Sequence, residues 1–202
     1  MKLITALSAC LLASAAALPA AAATLVYDAN LSGANENPAT SSLGTGFAQV
    51  TVDTTLLTMH VQATFTGLTG LVTASHIHCC AAPPTNMVVA TPFPGFPSGV
   101  TSGTYDQLFD MSLAASYNAP FVTASGGTAA GAFTALVAGM DAGQAYFNIH
   151  TDSSPGGEIR GYLARVPEPQ NFALLAVGLG CSVLGARRRL ASLQGRREVV
   201  TR

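Results

Sequence analysis

Charge is scarce in this 202-residue chain: 9% of its residues are charged, against roughly 25% in typical soluble domains. Lys2 is its only lysine. The length leaves room for one domain of ordinary size plus processing segments, not for two comfortable domains. No block of like charge interrupts the middle, and 49% of residues are hydrophobic, which argues against intrinsic disorder. Twenty glycines and eleven prolines fall short of a collagen-like or low-complexity chain. Catalytic signatures are missing too. There is no Gly-x-Ser-x-Gly elbow, no phosphate-cradling glycine loop and no paired-carboxylate motif, which leaves a hydrolase without its usual machinery. No repeat of solenoid period is present.

What is there begins at the two ends. Residues 1–23 read as a secretory signal peptide: Lys2, an Ala/Leu-rich apolar run ended by Pro19, then Ala21-Ala22-Ala23 as a small-x-small cleavage site. The other end carries Val166-Pro167-Glu168-Pro169, an almost uncharged run over 172–186, and Arg187-Arg188-Arg189. A 15-residue helix spans roughly 22 Å, short for a hydrocarbon core of about 30 Å, so physics alone gives a marginal span with a basic cytoplasmic anchor. The combination resembles a PEP-CTERM sorting signal. That resemblance implies an exosortase and the secretion machinery as partners, with transient anchoring of a C-terminal hydrophobic helix in the inner membrane. It further implies release to the cell surface or exopolysaccharide matrix of a Gram-negative bacterium, with the tail (167–202) removed. The 13 residues after the arginines are longer than such tails usually have, so a retained membrane anchor is the alternative.

Without its ends the chain changes character. Residues 24–166 hold two basic residues, Arg160 and Arg165, against eight acids, a net charge of about −6. Such a surface excludes nucleic acid and anionic lipid as partners and suits cations. Alternation of period two dominates. Residues 45–53 and 57–68 read as half-buried strands, the second with Met59, Val61, Ala63 and Phe65 on one face and His60 on the polar one. Further strands are expected over 24–31, 72–78, 87–90, 144–150 and 158–164. Phe133, Leu136, Val137 and Met140 fall at helical spacing within 127–140. Residues 83–103 form a long Pro/Gly/Ser loop carrying Phe93 and Phe96, which are expected to pack on the sheet. The pattern predicts a mainly β fold: an antiparallel, Greek-key-like β-sandwich or open barrel with one short helix, preceded by the signal helix.

Three blocks are similar to the CHRD domain, a module first named from chordin. They are Leu31-Ser32-Gly33-Ala34-Asn35-Glu36-Asn37-Pro38, then Ala74-Ser75-His76-Ile77-His78, then Asn148-Ile149-His150-Thr151 with Pro155-Gly156-Gly157-Glu158-Ile159-Arg160-Gly161. Their order and spacing match across essentially all of 24–166. The resemblance implies an extracellular β-rich domain and no known reaction. Cys79-Cys80 after the His-x-His pair, and the Phe/Pro loop beyond, depart from the family's pattern.

The chemistry-bearing residues are histidines. On a strand, residues i and i+2 share a face, so His76 and His78 present adjacent imidazoles, and His150 ends another expected strand. Together the three would supply most of a coordination sphere for copper or zinc, with Asp152 and Glu158 as completing oxygens or supports. The alternative is that all three simply hydrogen-bond carbonyls. One ion bound at about 2.0–2.1 Å per nitrogen requires the nitrogens to converge to about 4 Å or less. Cys79 and Cys80 are the only cysteines of 24–166. Three fates are open to them: a vicinal disulfide, soft metal ligands beside His78, or links to another molecule. Arg160 with Glu36 or Glu158 is expected to form a structural ion pair. Two functions follow: a non-enzymatic exported module that binds a partner or organises matrix, or a metal-binding, redox-capable domain.

Overall fold

The computed structural model describes residues 24–167. Nine strands form one antiparallel sheet that curls into an open half-barrel: β1 (Thr24–Ser32), β2 (Thr45–Asp53), β3 (Thr58–Thr66), β4 (Val72–His78), β5 (Val89–Pro92), β6 (Gly103–Asp110), β7 (Tyr146–Thr151), β8 (Ile159–Tyr162) and β9 (Ala164–Arg165). The spatial order is β5-β4-β7-β8-β1-β2-β3-β6, with β9 also on β1. The chain therefore crosses from β3 to the far side of the sheet for β4 and β5, then returns to place β6 beside β3. The mainly antiparallel β expectation holds. The expected signal peptide, and the expected sorting tail from Glu168 and Pro169 onward, lie outside the described residues. Among the described residues no helix is long and apolar enough to cross a membrane.

Alternation dictates the central strands. In register, Tyr27 faces Val50 and Val50 faces Val61, and all three are fully buried. The β2–β3 turn closes on Asp53, whose Oδ1 accepts from the amides of Thr55 and Leu56, both at 2.8 Å. Phe93 and Phe96 do pack on the sheet, at ring-centroid distances of 5.0 and 6.2 Å from Phe147. They close the hollow of the half-barrel together with Phe65, Tyr105 and Phe109.

Among the described residues two α-helices occur where one was expected: a six-residue α1 (Ala119–Ala124) and α2 (Ala129–Asp141). Thr128 caps α2 by accepting from the Gly131 amide at 3.0 Å. Gly143, at φ +65°, turns the chain out of it. Ala132, Phe133, Leu136, Gly139 and Met140 are its buried face.

Three expectations need correction. Strand β6 was not visible in the pattern, because on this edge strand only Tyr105 and Phe109 are buried, four residues apart. Strand β5 starts two residues later than expected, since Met87 serves as a strap over the site described below. The expected strand over 158–164 is broken into β8 and β9.

Candidate metal centre

Strands β4 and β7 pair so that Ala74 faces His150, His76 faces Asn148 and His78 faces Tyr146. Side chains alternate, so His76, His78, Asn148, His150 and Tyr146 all stand on the sheet face opposite the Ile77, Phe147 and Ile149 core. The three imidazole centroids are 5.1 to 5.7 Å apart. One ring nitrogen from each lies within 4.8 Å of the others. A shared ion at about 2.0–2.1 Å per nitrogen holds its donors no more than about 4.2 Å apart. The widest pair must therefore draw in by at least about 0.6 Å, a small swing within the broad wells of the terminal histidine torsion.

Hydrogen bonds fix which nitrogens are free. His78 Nδ1 lies 2.7 Å from the Met87 carbonyl oxygen, and His150 Nδ1 lies 2.9 Å from that of Pro155. A carbonyl only accepts, so each Nδ1 carries the proton and donates it, leaving the lone pair on Nε2. Among the described residues, His78 Nε2, His150 Nε2 and His76 Nδ1 are buried with no hydrogen-bond partner. Unpartnered buried polar atoms are rare, and here three ring nitrogens stand on one face together with the equally unpartnered Asn148 Oδ1. A backbone carbonyl on the far nitrogen is how metal-bound histidines are usually oriented.

Burial also keeps the rings uncharged. His76 is held down to about 4, first by burial and then by the charges His150 and His78 would carry. His78 is likewise pushed to about 4 by burial, against its Met87 hydrogen bond and helped by His150 and Arg160. Burial lowers His150 as well, opposed by Pro155. At neutral pH the cluster is three neutral imidazoles, the form that binds metal. A groove of about 420 Å³, bounded by Pro92, Phe93, Pro94 and Phe96, runs beside His76 and touches neither His78 nor His150.

The loops that aim these rings are held by Arg160, 1% exposed. Its Nε donates to the Asn35 carbonyl at 2.5 Å, Nη1 to Asn86 Oδ1 at 2.7 Å and Nη2 to the Pro84 carbonyl at 3.1 Å. Its guanidinium carbon stands 4.6 Å from the Tyr146 ring centroid, and that ring stacks on His78 at 4.9 Å. Asn86 in turn donates to the Asn37 carbonyl at 2.7 Å, and the Met87 amide donates to the Tyr146 hydroxyl at 3.0 Å. Residues 84–87 are thereby strapped over the sheet, which puts the Met87 carbonyl on His78.

The expected ion pair forms with Glu36, whose Oε2 lies 3.8 Å from Arg160 Nε. Burial raises Glu36 to about 7, against the pull of Arg160 and the Asn37 amide. Glu158 takes no part in that pair. Its carboxylate accepts from Ser42 Oγ, the Thr69 and Gly70 amides and Thr151 Oγ1 at 2.6 to 3.0 Å. Burial alone would raise it, but these bonds hold it below the usual carboxylate range. Asp152 Oδ1 accepts from the Leu71 amide at 2.9 Å. Neither acid joins the histidine cluster. They fix the turn after β7 that offers the Pro155 carbonyl to His150.

Cys79 and Cys80 form a vicinal disulfide. Its sulfurs fill the niche left by Gly139 on α2, and the metal-ligand cluster contains neither. His60 sits apart on β3, 2.6 Å from Asp106. Sequence reasoning missed Met87, Pro155, Tyr146 and Asn86 as supports, because two act through backbone carbonyls that no side-chain pattern reveals.

The family model of the CHRD domain matches residues 27–163. No curated protein and no solved structure matches the chain.

Proposed function

Since the chain belongs to the CHRD-domain family, whose members are typically extracellular binding or structural modules, we propose that it is an exported, non-enzymatic domain that holds one transition-metal ion, copper or zinc, on His76, His78 and His150. The observation that carries this reading is the set of three buried, unpartnered imidazole nitrogens on one sheet face, two of them aimed by carbonyls on the opposite nitrogen. Neutral imidazoles suit both metals, and the acidic surface favours delivery of a cation. The signal peptide and the exosortase-type tail support passage through the inner membrane to the cell surface or polysaccharide matrix.

The test is the metal content of the purified full chain after loading with copper or zinc and desalting. One ion per chain is expected, lost in each of His76→Ala, His78→Ala and His150→Ala and retained in His60→Ala. Retention of the ion by all three of the cluster variants, or no retention by the parent, would overturn the reading.

A further inference from the structure

We infer that the centre is built for monovalent copper, Cu(I), in preference to Zn(II) or Cu(II). This rests on the three-histidine reading above and names its ion. The first ground is the donor set. Three neutral imidazoles bring no negative charge, and the nearby acids are committed elsewhere. Glu158 is saturated by Ser42, Thr69, Gly70 and Thr151, Asp152 caps Leu71, and Glu36 turns Oε2 to Arg160 while its buried Oε1 has no hydrogen-bond partner. The disulfide takes both thiols out of reach as thiolate ligands. Nothing in the cluster neutralises a second unit of metal charge.

The second ground is the surroundings. The three donor nitrogens are buried, and the solvation cost of burying an ion rises with the square of its charge, so a divalent ion loses roughly four times as much as a monovalent one. Arg160 adds a fixed, buried cation in the same layer. It lies on β8, 4.6 Å from the ring of Tyr146, which stacks on His78. At an effective dielectric of about 20, a second unit charge about 10 Å from a fixed cation weakens binding on the order of 10-fold.

The third ground is shape. Donors on one face, within 4.8 Å of one another, close most readily to a three-coordinate arrangement, with nitrogens about 3.5 Å apart. Zinc prefers four tetrahedral ligands, and here the fourth would have to enter from the groove beside His76. Without these features Cu(II) would outcompete zinc at an imidazole site; the charge of the surroundings is what turns the preference to Cu(I).

The test is competition. The full chain, carrying Cys10→Ser and Cys181→Ser so that free thiols contribute nothing, is titrated anaerobically with Cu(I) and ascorbate against bicinchoninate. Zn(II) is titrated against a chromogenic zinc chelator, and Cu(II) in air by electron paramagnetic resonance. The expected result is one Cu(I) per chain, abolished by His78→Ala, with Zn(II) and Cu(II) at least about 10-fold weaker. Asn148→Asp, which places a carboxylate between His76 and Arg160 in register, should narrow the gap about 10-fold. Zinc or Cu(II) binding as tightly as Cu(I), and still lost in His78→Ala, would overturn the ion assignment and leave the centre standing. No ion retained in any state would remove the centre itself.

Discussion

Arg160→Met tests the support of the site most severely. The substitution keeps the length of the stem and removes the guanidinium. Three charge-assisted hydrogen bonds vanish, leaving the Asn35 and Pro84 carbonyls and Asn86 Oδ1 without their donor. Glu36 loses its cation, and Tyr146 and Tyr162 lose a charge on their faces. Removing one partner of a buried, hydrogen-bonded charge costs about 3–5 kcal/mol. For a domain of this size that is a fall in Tm of about 10–15 °C. Urea denaturation should show a lower midpoint at an unchanged slope. A second consequence separates this account from simple loss of packing. The guanidinium is also what repels a second unit of metal charge, so below the melting transition the folded variant should lose about 10-fold of its preference for Cu(I) over Zn(II). A variant within about 1 kcal/mol of the parent, or one that melts early yet keeps the parent's preference, would refute the reasoning.

Other perturbations follow from the same geometry. Glu36 is raised to about 7 from 4.5, so the folded carboxyl keeps a proton that the unfolded chain releases. Its stabilising contribution is complete below about pH 4.5 and is lost as pH rises through 7. Glu36→Gln should therefore match the parent at pH 4.5 and exceed it by about 2–3 kcal/mol at pH 8; equal differences at both values in urea melts would contradict this. His76 and His78, held near 4, impose the opposite slope on the metal-free chain, with stability lost as pH falls from about 6.5 through 4, and they cancel in that comparison. Gly139→Ala would ordinarily strengthen a helix by about 1 kcal/mol. Here its Cβ would meet the sulfurs of Cys79 and Cys80, so the Tm should fall, and should recover in a Cys79→Ala, Cys80→Ala background. Phe93→Ala opens the aromatic cluster against Tyr105, Phe109 and Phe147 and should cost about 3–5 kcal/mol, read as a lower urea midpoint.

The parts of the fold legible in the sequence were those where one rule acts alone. Strands β2 and β3 alternate cleanly because one face is core and the other solvent. Helix α2 shows its period because Phe133, Leu136 and Met140 form a single buried stripe. Strand β6 hid because an edge strand closing a barrel buries only Tyr105 and Phe109 and leaves Gln107 exposed. At the site, the His-x-His spacing was enough to place His76 and His78 on one face. That His150 would face them depended on the β4–β7 register, a long-range pairing with no local signature. Arg160 of the third block ties the Asn35 loop of the first block, and the Pro84 loop, to β8. Of the two acids offered as partners of Arg160, Glu36 lies against it, while Glu158 is bound by donors from other segments.

The account stands most directly on the number of histidines around the ion. X-ray absorption at the metal edge of the loaded full chain would count them. Three imidazole nitrogens at about 2.0 Å, with the outer-shell scattering of imidazole rings, are predicted. A sulfur shell at about 2.3 Å, or fewer than two imidazoles, would contradict it and return His76, His78 and His150 to a purely structural role.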